Sequence, residues 1–139
     1  MVPLANLVVG PIYPYVSEHY GMYHHLPVVD ATIGGWKGKV LLDTGATRSI
    51  ISQEIVNAIG VTPKENINYV ASGVNGRVTM KHQICPTITI LQKVCGPLQL
   101  LVMRDVPTFK DTSFDALIGC DVLDRIPNLI FNLSKRIVS

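Results

Sequence analysis

Val40-Leu41-Leu42-Asp43-Thr44-Gly45-Ala46-Thr47 is the stretch on which the reading of this chain turns. Three apolar residues lead straight to a carboxylate, followed by a hydroxyl, a glycine and a small residue. An apolar strand would deliver Asp43 at its buried end, where a charge is expensive unless it is hydrogen-bonded or neutralised. Gly45 lets the backbone turn sharply and brings amide N–H groups to the carboxylate, while Ala46 leaves room for something to approach. Asp-Thr-Gly alone is a weak signal, since the same residues also end ordinary strands. Its weight comes from a second segment, Ala116-Leu117-Ile118-Gly119-Cys120-Asp121-Val122-Leu123, an apolar strand that ends in glycine and opens a helix.

Outward from these segments the pattern is mostly β. Leu26 to Ile33 and Lys37 to Asp43 read as strands joined by a Gly34-Gly35 hairpin turn. Ile51, Ile55 and Ile59 recur on one helical face, with Gly60 as the stop and Pro63 beyond it. Ile67 to Ser72 and Arg77 to Ile84 flank a second hairpin whose tip is Gly73-Val74-Asn75-Gly76. Thr87 to Ile90 alternates strictly and is expected to pair with Leu98 to Met103 across Gly96-Pro97. A short buried strand, Ala116 to Gly119, runs into a brief helix, Cys120 to Ile126. Leu129 to Phe131 and Arg136 to Val138 form a last pair of strands. The first 25 residues differ: Pro3, Gly10, Pro11, Pro14 and Gly21 are expected to break up any regular element, which gives an N-terminal arm over 1–25 and a domain over 26–139. Short strands, one medium helix, one short helix and glycine-rich turns predict a mostly β, small, closed barrel-like domain.

In its ordered set of motifs the chain resembles the retropepsin family, the aspartic proteases of retroviruses and LTR retrotransposons. The resemblance runs from Leu26 to about Val138. It rests on the first hairpin, Leu-Leu-Asp-Thr-Gly-Ala, the isoleucine helix, the hairpin around Gly73 to Gly76, and the Leu-Ile-Gly-x-Asp-x-Leu segment ending at Leu123. The wording Asp-Thr-Gly-Ala-Thr-Arg-Ser is closer to the retrotransposon type. The resemblance implies an aspartic endopeptidase that matures a Gag-Pol-type polyprotein with no metal or cofactor, through two carboxylates sharing one proton. One Asp-Thr-Gly supplies half of that pair; Asp111-Thr112 is followed by Ser113. The implied completion is a C₂ homodimer in which Asp43 of each subunit meets its mate at the axis. Thr44, Gly45 and Ala46 then form the active-site loop and dimer lock, Thr47 and Arg48 border the substrate cleft, and Ile118 and Gly119 support the loop. Val70, Ala71, Ser72, Gly73, Val74, Asn75 and Gly76 belong to a flap reaching to Val78 that closes over an extended peptide. Retroviral members carry an acid where Thr47 stands and an arginine where Cys120 stands; here Arg48 is expected to pair with Asp121 in their place.

Composition excludes other classes. Twelve basic and ten acidic residues nearly cancel, so neither nucleic acid nor an anionic membrane is the expected partner. No apolar run reaches the roughly 18 residues of a membrane span, and Met1 to Gly10 has no basic residue ahead of its apolar stretch, unlike a secretory signal. Cytoplasm or the interior of virus-like particles is the expected location. Cys85, Cys95 and Cys120 read as buried thiols, and Cys120 as a small core filler. His19, His24 and His25 lack a second cluster to complete a metal site, and the arm's tyrosines lack interleaved bases. Two other readings remain. One is a domesticated or inactive retropepsin-like domain used for dimerisation or peptide binding. The other, ranked last, is a cellular ubiquitin-linked shuttle protease domain, whose Asp-Ser-Gly context differs from that of Asp43.

Overall fold

The computed structural model describes residues 9–17, 21–73, 76–103 and 113–139. The strands are β1 (Gly10–Pro11), β2 (Tyr13–Ser17), β3 (Gly21–Ile33), β4 (Trp36–Leu42), β5 (Ile50–Ser52), β6 (Tyr69–Gly73), β7 (Gly76–Met80), β8 (His82–Ile84), β9 (Ile88–Ile90), β10 (Lys93–Cys95), β11 (Leu100–Met103), β12 (Ala116–Ile118), β13 (Phe131–Asn132) and β14 (Ile137–Val138). Two helices, α1 (Gln53–Ile59) and α2 (Cys120–Leu123), complete the described elements. No helix among the described residues is long and apolar enough to cross a membrane.

One large curled sheet runs in the order β10-β9-β3-β4-β12-β5-β11-β8, with β2 added along β3. Its two end strands do not pair among the described residues, so the expected closed barrel is an open half-barrel. The strands wrap a core that contains Val29, Ile33, Val40, Ile51, Ile55, Ile88 and Ile118. Fully burying each such side chain contributes about 1.5–3 kcal/mol. The β6–β7 hairpin forms a separate two-stranded sheet, and β1, β14 and β13 form a third, with β14 in the middle.

Several boundaries move from their sequence expectation. The strand expected at Leu26 begins at Gly21, and β2 pairs with it from Tyr13 to Ser17. Among the described residues Gly10, Pro11, Pro14 and Gly21 lie within strands, and Pro14 sits where the register shifts between Tyr13 and Tyr15, a bulge position that needs no ladder donor. Ile51 belongs to β5 rather than to the helix. The strand flows directly into α1, so Ile51 and Ile55 reach one core across the junction. Gly60 closes α1 as expected, in the left-handed conformation (φ 80°), with its N–H donating to the Val56 carbonyl.

β9 pairs with β10, not with the 98–103 segment. The connection is a tight turn at Leu91 and Gln92, both at positive φ (52° and 61°). Neither residue advertises such a turn, so the sequence concealed it. Released from that pairing, β11 lies parallel to β5 and antiparallel to β8. The second helix ends at Leu123 instead of Ile126, because Arg125 and Ile126 donate to carbonyls three residues back and tighten the chain into a turn. Cys85 is exposed rather than buried; Cys95 is buried and Cys120 half-buried, and all three are free thiols.

Candidate active site

The catalytic candidate is placed by strand pairing. β12 runs parallel to β4, with Ile118 opposite Leu42, and antiparallel to β5, with Leu117 opposite Ile50. It therefore threads between the two strands that bracket residues 43–49. The ladder continues one residue beyond β4: the Asp43 N–H donates to the Ile118 carbonyl at 2.8 Å. The chain then turns back on itself, with the Ala46 N–H donating to the Asp43 carbonyl at 3.2 Å. The Gly45 N–H donates to Asp43 Oδ1 at 2.9 Å. One carboxylate oxygen is thus fixed by the backbone of its own loop. Asp43 is half-buried, Thr44 and Gly45 are exposed, and Asp43 makes no ion pair among the described residues.

The second motif clamps this loop from behind. The Cys120 N–H donates to the Ala46 carbonyl at 2.8 Å, and the Cys120 thiol donates to the Thr44 carbonyl at 3.1 Å. Gly119 passes so close that a Cβ there would lie 2.7 Å from the Ala46 oxygen and 3.0 Å from the Arg48 oxygen. At such distances from backbone atoms a side chain could enter only by displacing the loop, which is the physical reason for glycine at the end of β12.

At the centre of the clamp is Ser49, fully buried, which sequence reasoning did not single out. Its Oγ accepts the Gly119 N–H at 2.9 Å and donates to Asp121 Oδ1 at 2.7 Å. The Ser49 N–H donates to Asp121 Oδ2 at 2.9 Å. Asp121 is therefore a structural acceptor that ties the loop to α2. The signal available in the sequence was a serine standing immediately before the apolar Ile50-Ile51 pair, where a polar side chain enters the core and must find partners.

An aspartyl protease family profile matches residues 29–122, more than half of the 139-residue chain. The chain belongs to that family. Its fold is also that of solved structures: the retroviral protease-like domain of Ddi1 from Leishmania major superposes with a TM-score of 0.58 at 23% identity, covering 81% of this chain and 85% of that one. That likeness establishes a retropepsin-like fold. Comparison with curated protein sequences gives no match.

In this member of the aspartyl protease family, Arg48 does meet Asp121, with Nε 3.6 Å from Oδ2 and the two side chains 25% and 20% exposed. The pair is secondary to Ser49, whose two bonds to the same carboxylate are shorter. A guanidinium nitrogen of Arg48 also reaches the Gln99 carbonyl at 3.5 Å. The Thr47 and Tyr69 hydroxyls lie 3.0 Å apart, and Tyr69 opens the hairpin expected to be the flap. Strands β6 and β7 pair from Tyr69–Met80 to Gly73–Gly76. Val74 and Asn75, at the flap tip, lie outside the described residues, as do His19, Asp111 and Thr112. Tyr13 of the expected arm donates to Asp30 at 2.7 Å, and the Lys39 ammonium sits 4.4 Å from its ring centre, so this tyrosine packs on the domain. The Asp30 contact raises the Tyr13 pKa.

Proposed function

We propose that this chain is an aspartic endopeptidase of the retrotransposon type that acts as a C₂ homodimer on a Gag-Pol-type polyprotein, in the cytoplasm or within virus-like particles. The observation that carries the reading is the presentation of Asp43: one carboxylate oxygen is held by Gly45, the loop is clamped from below by β12 and α2, and its upper residues Thr44 and Gly45 face solvent. A loop built so firmly and left uncovered suits a surface that meets its own copy. In this reading the cleft over Asp43 is completed by a second subunit and the flap.

The chemistry follows from pairing the carboxylates. Two like charges about 3 Å apart cannot both ionise, so the pair holds one proton between them. The ionised member takes a proton from water as the water oxygen bonds to the peptide carbonyl carbon. The protonated member hydrogen-bonds the carbonyl oxygen, and a proton passes to the leaving nitrogen as the C–N bond breaks. Across the dimer axis Thr44 would lock the two loops, while the flap would add β-type hydrogen bonds to an extended peptide and exclude water.

The test is cleavage of a peptide library between about pH 4 and 6. Activity is expected to be blocked by a statine-type inhibitor and lost in Asp43→Asn. A chain proven to be dimeric that cuts no peptide would overturn the enzyme reading in favour of a dimerisation or peptide-binding domain.

A further inference from the structure

The flap hairpin belongs to a sheet of its own and shares no ladder with the large sheet among the described residues. Its base is seated by packing: Met80 is buried with Leu101 and Met103, and Tyr69 and Ala71 lie against that cluster. Tyr69 and Met80 face each other as the first rung of the hairpin, so any change of tilt pivots there. At that rung Tyr69 touches the segment that follows the catalytic loop in two ways. Its hydroxyl is 3.0 Å from the Thr47 hydroxyl, and its ring centre is 5.7 Å from the Arg48 guanidinium carbon, within cation–π range. Arg48 in turn contacts Asp121, which holds Ser49 and through it the Gly119 amide. A continuous set of polar contacts thus joins the flap base to the loop that carries Asp43.

We propose that Tyr69 is a positioning residue that latches the flap to the Asp43 loop and so sets how tightly a peptide is held. The inference deepens the endopeptidase reading and rests on it for its kinetic part, though the latch itself can be measured without substrate. An extended β-hairpin joined to its domain by packing alone would have soft tilt. A directional bond at the pivot fixes the tilt relative to the carboxylate over which the peptide must lie.

Hydrogen exchange of the full chain, read at the amides of β6 and β7, tests this directly. Tyr69→Phe keeps the ring and removes the hydroxyl, and Thr47→Val removes its partner. Each is expected to speed exchange in β6 and β7 about fivefold, the factor set by a bond of about 1 kcal/mol, with β3 and β4 unchanged. Thr47→Ser, which keeps the hydroxyl, is expected to hold the wild-type rate. The double variant is expected to exchange no faster than either single one, because the same bond is broken in both. With a cleavable peptide, Tyr69→Phe is expected to raise KM about fivefold and change kcat less than about twofold. Unchanged exchange in both single variants, or a double variant that is the product of the two, would overturn the latch even in an active protease. The expected exchange pattern in a protein that cuts no peptide would support the latch and overturn the endopeptidase reading.

Discussion

Removing one oxygen atom, Oγ of Ser49, tests whether the clamp beneath Asp43 holds as described. In Ser49→Ala the hydrogen bond to the Asp121 carboxylate (2.7 Å) disappears, and so does the acceptor of the Gly119 N–H (2.9 Å). A hydrogen bond to a charged group is worth about 1.5–3 kcal/mol, and a buried N–H left without a partner costs about 1–3 kcal/mol. The Ser49 N–H still donates to Asp121 and Arg48 still faces it, so part of the carboxylate's support survives. Because neighbouring losses overlap, the expected net destabilisation is about 3 kcal/mol. Urea unfolding measures it as a lower midpoint at unchanged slope. Adding Asp121→Asn closes a double-mutant cycle, in which the two changes together are expected to cost clearly less than their sum. Cleavage should fall along with stability, since Gly119 and Ala46 would no longer be held in register with Asp43. A loss below about 0.5 kcal/mol, the range of an ordinary surface change, together with additive cycle energies, would refute the assignment of Ser49 as the hub.

Other changes read out neighbouring parts of the same argument. Gly119→Ala places a Cβ 2.7 Å from the Ala46 oxygen and 3.0 Å from that of Arg48, both backbone atoms. The expected cost is about 1–3 kcal/mol in unfolding experiments, with cleavage impaired further because the displaced atoms belong to the Asp43 loop. Asp115 is exposed at the surface, yet partial desolvation by its neighbours raises its pKa, and the Glu54 charge adds to the rise. Its folded value therefore lies above its unfolded value: the folded state is favoured while Asp115 is protonated and loses that advantage as pH climbs through the carboxylate range into the raised value. Asp115→Asn should accordingly raise the thermal midpoint at neutral pH and leave it little changed at low pH; an equal shift at both would contradict the sign.

What the sequence revealed, and what it hid, follows from the range of each interaction. Asp43 and its Gly45 turn were legible because strand, carboxylate and turn residue are adjacent in the chain. Ile118-Gly119 was legible because a buried strand ending in glycine has few other uses. The pairing of Arg48 with Asp121 followed from the joint substitution of two neighbouring positions. Ser49 was not legible as a hub, since its partners Gly119 and Asp121 lie about seventy residues away and only the placing of β12 brings them near. The turn at Leu91 and Gln92 was hidden for a different reason: side chains without turn preference are held at positive φ by the pairing of β9 and β10 around them. Cys120 was read as a filler, yet its thiol faces the Thr44 carbonyl, a contact that depends on the loop's fold and not on spacing.

If hydrolysis needs Asp43 from each of two chains, mixing wild-type protein with its Asp43→Asn variant will show it. After exchange of subunits at equal amounts, half of the wild-type chains would sit opposite an inert partner, so cleavage per wild-type chain should drop to about one half, and further as the variant is added. Cleavage that stays constant at every ratio would mean that one chain of 15.2 kDa carries a complete site by itself, and would contradict the account.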